Sequence, residues 1–173
     1  MLTVFLFLIL VWAFYIGYSR GIGLQAFYTF VCLLALIISS VSFKDLASHL
    51  TLWVPYSNPT QDSSVAFFKS VNIFDLDHVY YAGVAFVGIY ALVYGIGRLL
   101  GIFMHLFSFE RLDSRPFAIT GGVLSVGVSA LSLGLLLSVL ATVPMTSLQN
   151  HLSASSLARL LIQIASLVTS SWL

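Results

Sequence analysis

Long apolar runs separated by short polar breaks organise this chain. The runs cover residues 2–18, 22–42, 79–101 and 116–143. The last carries no charged residue. At about 1.5 Å of rise per residue it is long enough to cross a hydrocarbon core of roughly 30 Å. Each run predicts a membrane-spanning helix. The third apolar stretch continues to Phe107, beyond what a bilayer requires, which predicts tilt or emergence near Arg98 and His105. Gly17-Tyr18-Ser19-Arg20-Gly21 stands between the first two runs as a tight turn. Residues 108–115 form a second short loop. There Asp113 or Ser114 can cap the next helix, and Pro116 suits its first turn. The expected fold is all-α and polytopic: four transmembrane helices as two hairpins, plus interfacial amphipathic helices.

Two stretches depart from the spanning pattern. In the connection 43–78, Phe43, Leu46, Ala47, Leu50 and Trp53 fall on one helical side, and Lys44, Asp45, Ser48 and His49 on the other. This predicts a short helix in the interface, ended by Pro55, with Trp53 at headgroup depth. A polar loop follows over 56–64, and 65–74 reads as a second interfacial piece. The tail 145–173 begins after Pro144. It sets Leu157, Leu160, Leu161, Ile164, Leu167 and Val168 against Arg159, Gln163, Ser166 and Ser170. That predicts an amphipathic interfacial helix anchored by Trp172, with a fifth span as the alternative. Residues 1–144 are thus expected to form the four-helix membrane domain.

The fourth run differs from the others in its small residues. Gly121, Gly122, Ser125, Ser129, Ser132 and Ser138 recur at steps of three or four, or multiples of that step. They line one face along which another backbone can approach. Gly97 and Gly101 make a similar pair on the third run. Gln25 and Arg98 are candidate polar groups within the membrane. Gln25 either bonds a neighbouring helix or lines a pathway. Asp75, Asp77 and His78 sit where a helix start favours carboxylates, and carboxylates two apart would need further ligands to hold a metal. Cys32, the sole cysteine, lies in an apolar run and reads as a small buried hydrophobe.

Composition supports lipid as the solvent. The chain is 60% apolar and 8% charged, where a soluble domain carries about 25% charged residues. A formal charge of +1 leaves no broad basic surface for nucleic acid. No basic residue precedes the first run, so it reads as a retained helix and not as a cleaved signal. The sequence lacks H-E-x-x-H and G-x-S-x-G, and no span carries paired carboxylates. Neither catalytic residues nor cofactors nor a metal site are expected. Arg20, Arg98, Arg111 and Arg115 fall on one side of the predicted topology, and Lys44, Lys69 and Arg159 on the other. The first set adjoins tight turns, where the positive-inside rule has most force. This predicts cytoplasmic turns built on Gly17, Arg20, Gly21, Asp113 and Arg115, with both termini outside. Arg20 and Arg115 would act there through orientation and phosphate contact.

The order of these features resembles a known family. The Gly17-to-Gly21 turn, an amphipathic connection, a long third span, Leu112-Asp113-Ser114-Arg115, and Gly121-Gly122-Val123-Leu124-Ser125 opening the last span are together similar to the CvpA, or colicin V production protein, family of bacterial inner-membrane proteins. The resemblance covers most of 2–144. It implies a multi-pass plasma-membrane protein tied to toxin production or export and to envelope homeostasis, and it brings no catalytic residues with it. Two functions fit. One is an accessory or scaffold protein that binds copies of itself or other membrane proteins. The other is a small oligomeric transporter or channel with its pathway between subunits. The topology has a direct check: Ser57→Cys and Ser114→Cys should label from opposite faces of the membrane, and labelling from one face contradicts it.

Overall fold

The fold is that of a computed structural model, which describes residues 1–56, 65–68, 75–104 and 115–172. Helix α1 (Leu2–Leu50) is followed by α2 (Leu76–Met104), α3 (Arg115–Ala141), α4 (Thr146–Ala154) and α5 (Ser156–Thr169), and a 3-10 turn covers Ser170–Trp172. Among the described residues there is no strand. Also among them, α1, α2 and α3 are long and apolar enough to cross a membrane, and α4 with α5 passes the same test as a bent pair.

The 49 residues of α1 are two helical arms, 2–20 and 22–50, broken at Gly21 (φ 75°, ψ 170°). That backbone region is essentially confined to glycine, because a Cβ would clash there. Neighbours give the direction of each arm. Leu6 shares a buried cluster with Leu137 and Ala141, and Gly17 lies against Gly121 and Ser125, so the first arm runs antiparallel to α3. Tyr28 fills the space at Gly101, Val31 the space at Gly97, and Phe43 meets Phe86, so the second arm runs antiparallel to α2. Tyr90 pairs with Ser132, and Val139 lies against Gly83, which sets α2 antiparallel to α3. The chain therefore reverses at Gly21, as the apolar pattern predicts, but at a single residue. Gly17 is inside the helix and packs, and does not turn.

Three boundaries differ from the sequence reading. The segment 43–50 is not a separate interfacial helix but the last turns of α1's second arm. Neither glycine nor proline interrupts it, and its apolar side (Phe43, Ala47, Leu50) packs on the core that holds Val79, Ala82 and Phe86. Its amphipathicity serves a helix contact. Trp53 beyond it is exposed. Helix α2 starts at Leu76 and continues past Arg98 to Met104 as one helix. Helix α3 stops at Ala141, in keeping with Pro144, which disfavours helix at the residue before it.

The tail is two helices, not one, bent by 93° at Ser155. Ser155 caps α5 by accepting from the Ala158 N–H, and its hydroxyl meets Thr3 at 2.9 Å. Helix α5 turns Ala158, Leu161, Ile162 and Ala165 onto the bundle, while Leu160, Ile164 and Leu167 face outward. The bundle-facing side is the one with small residues, because Gly134 allows α3 to approach the Leu161 carbonyl closely. Trp172 is not an exposed anchor. It is 5% exposed, with its ring 5.7 Å from that of Phe86 and its edge at Gly83. Of the connection, 57–64 and 69–74 lie outside the described residues, as do Asp113 and most of the second short loop.

A Cβ at Gly21 must force the backbone out of this region. Gly21→Ala should cost roughly 1–3 kcal/mol, seen as a lowered Tm in detergent. A variant as stable as the parent would mean that the arms do not reverse there.

Candidate functional site

The small-residue face of α3 meets α1 where the chain reverses. A Cβ on Gly121 would sit 2.9 Å from the Gly17 carbonyl oxygen, and one on Gly122 would sit 2.6 Å from the Phe14 ring. Gly17 in turn abuts Ser125 and Gly121. Gly121, Gly122 and Ser125 are buried, as is Ser138 further along. Ser129 and Ser132 are only half-buried, so the expected face divides. Its first part is a backbone-to-backbone contact. Ser132 belongs instead to a polar chain in the bundle interior. Its hydroxyl bonds the Val128 carbonyl at 2.8 Å and meets Tyr90 Oη at 2.7 Å, and Tyr90 Oη meets Cys32 Sγ at 3.3 Å. Cys32 is buried, as expected, and its thiol is bonded.

Gln25 is 2% exposed, and its Oε1 has no hydrogen-bond partner among the described residues. The interhelical bond that its position suggests is not formed by that atom. Such an orphan is costly where no water competes.

At the hairpin end, the structure joins residues that are far apart in sequence. Tyr28 is 4% exposed, on the second arm of α1. The Arg20 guanidinium carbon lies 5.2 Å from its ring centroid and that of Arg98 lies 4.8 Å away. Arg98 also stands 5.8 Å from the Tyr94 ring and reaches its hydroxyl at 3.4 Å. Each contact falls within the reach of a cation–π interaction. Two guanidiniums on one ring are within about 10 Å of each other, a separation at which like charges repel by roughly 0.4–1.7 kcal/mol across effective dielectrics of 80 to 20. Arg115 opens α3 at the same end, exposed. The acidic residues among the described ones are Asp45, Asp75 and Asp77, on the segments that form the opposite end.

At that opposite end, Gln149 closes α3. Its Nε2 donates to the Ala141 and Val143 carbonyls, each at 2.9 Å, and its Oε1 accepts from the Ala66 N–H. Tyr56 donates to the Thr142 carbonyl at 2.9 Å. Burial pushes its phenol up to about 12, with Asp77, Tyr80 and Tyr81 adding to the shift, so it stays a donor at neutral pH. A cavity of about 440 Å³ lies here, lined among others by Lys44, His78, Tyr81 and Trp172. No group of three His, Cys, Asp or Glu side chains able to hold a metal occurs among the described residues. Sequence reasoning missed Tyr28, Tyr90 and Gln149. The signal available for Gln149 was an amide just past Pro144, placed to satisfy the last carbonyls of α3.

A family model described as "Colicin V production protein" matches residues 2–166. An uncharacterized transmembrane protein of Bacillus subtilis (strain 168), YshB, is 25% identical over 162 residues, which cover 94% of this chain and 89% of that protein. No solved structure matches.

The Gly17–Ser125 contact leaves no room for bulk. Ser125→Leu should cost roughly 1–3 kcal/mol through overpacking. Ser125→Ala should cost about 0.6 kcal/mol or less, the scale of one interhelical hydrogen bond in lipid. Thermal unfolding in detergent compares them, and equal stability would remove this contact from the centre of the fold.

Proposed function

Because the chain belongs to the colicin V production protein family, a family of multi-pass membrane proteins, we propose that it serves as a membrane accessory or scaffold protein in the process for which that family is named. It acts through helix–helix contacts in the bilayer and not as an enzyme. We place it in the bacterial plasma membrane with both termini outside and the Gly21 reversal toward the cytoplasm, the orientation favoured by Arg20, Arg98 and Arg115 at that end.

One observation carries the scaffold reading. Gly17, Gly97, Gly101, Gly121, Gly122 and Gly134 are each filled by a neighbour within the chain, but Gly88, Gly95 and Gly127 have nothing among the described residues within 4 Å of where a Cβ would be. Gly88 and Gly95 are seven residues apart, close to two turns, and so share a face of α2. Thin outward faces on spanning helices suit a second helix, because association in lipid depends on close backbone approach. The partner is a second copy of this chain or another membrane protein.

A channel or transporter between subunits is the second reading, favoured by the Gln25 Oε1, which has no partner among the described residues. It would show as solute flux from liposomes that Gln25→Leu abolishes.

The scaffold reading has a clean test, since a Cβ at either open glycine has no described neighbour within 4 Å. Gly88→Leu with Gly95→Leu should leave Tm unchanged while converting assemblies in lipid nanodiscs to single copies, read by mass. An unchanged assembly in the double variant, or a parent that is monomeric and recovers no membrane-protein partner, overturns it.

A further inference from the structure

Arg20 and Arg98 share one buried ring, and no carboxylate among the described residues stands at their end of the bundle. We propose that this pair, seated on Tyr28, is a binding site for a phosphate group bearing net negative charge. An anion that reaches both guanidiniums converts their mutual repulsion into two charge-assisted contacts. The guanidinium fork matches phosphate oxygens in geometry, and contact with the shared ring holds both forks in place at little entropic loss. Arg20 is half-buried and Arg98 exposed, so among the described residues nothing covers the outer side of the pair.

Depth favours the headgroup of an anionic lipid as the source. The second arm of α1 and the whole of α2 are each about 43 Å long, some 13 Å more than a hydrocarbon core of roughly 30 Å. Tyr28 lies seven residues past the break at Gly21, and Arg98 lies six before the last residue of α2. Both positions are therefore about 10 Å in from the shared end, close to the edge of the hydrocarbon core, from which the long arginine side chains reach the phosphates. Arg98 also bonds Tyr94, which leaves the rest of its fork for a ligand.

The test uses the full chain in neutral detergent, with native mass spectrometry to count retained lipid. Phosphatidylglycerol should be held in preference to phosphatidylcholine. Arg20→Gln and Arg98→Gln should each weaken that retention about five-fold, the scale of one basic residue at an anionic surface, and Arg98→Lys should recover part of it. Arg159→Gln makes the same charge change on exposed α5 and should have no effect. Inorganic phosphate, titrated without lipid and read by Tm, separates the sources. A Tm rise that vanishes in the Arg20→Gln, Arg98→Gln double variant assigns the site to a soluble phosphate. Phosphatidylglycerol retention without that rise assigns it to lipid. The proposal fails if neither phosphatidylglycerol nor phosphate is bound, or if Arg159→Gln weakens binding as much as Arg98→Gln does.

Discussion

In a bilayer, apolar burial does not draw helices together, because lipid tails are as apolar as leucine. Closeness of approach must supply the attraction. The contact of Gly17 and Gly21 with Gly121 and Ser125 meets that requirement at the point where the chain also reverses. One glycine provides the backbone conformation, and its neighbours provide the space. The rest of the bundle depends on this corner. It sets the two arms of α1 antiparallel and presents the first to α3 and the second to α2. It also brings the start of α3 to the same end as the close of α2.

The other interhelical contacts repeat the device with different fillers. Val31 seats at Gly97 and Tyr28 at Gly101, Phe14 covers Gly122, and the α5 backbone lies against Gly134. Each of these four glycines is paired with a particular partner, so register is set by shape along the bundle. Polar groups contribute fewer but more directional constraints. The Cys32–Tyr90–Ser132 chain links α1, α2 and α3 through side chains, and Gln149 ties α4 to the end of α3. The two ends of the bundle are consequently different. One is closed by amide and phenol hydrogen bonds to free helix carbonyls. The other presents arginines on aromatic rings.

Much of this was legible from the residues in order. The apolar runs, the reversal near Gly21, the stop at Pro144 and the thin places at Gly97, Gly101, Gly121, Gly122 and Ser125 all follow from hydropathy, charge and the absence of side-chain bulk. The same signals leave the partner open. Amphipathic character in 43–50 and in the tail predicts one face turned from water, and in both segments the structure packs that face on other helices. Trp172, expected as an exposed anchor, is buried.

The reason lies in what a sequence in lipid can encode. Transfer into the bilayer is local and additive, so the number and length of the apolar segments and the glycine at which the chain can turn are set by the sequence itself. A helix with lipid on one side and protein on the other is apolar on both, so its pattern does not distinguish the two faces. Small residues mark that something approaches, but not what approaches. Only the tertiary structure decided that Val31 fills Gly97, that Ser132 serves Tyr90 while Ser125 serves Gly17, and that Arg20 and Arg98, seventy-eight positions apart, share the ring of Tyr28. Those pairings depend on complementary shape and on charges brought together by the fold, which no single segment carries.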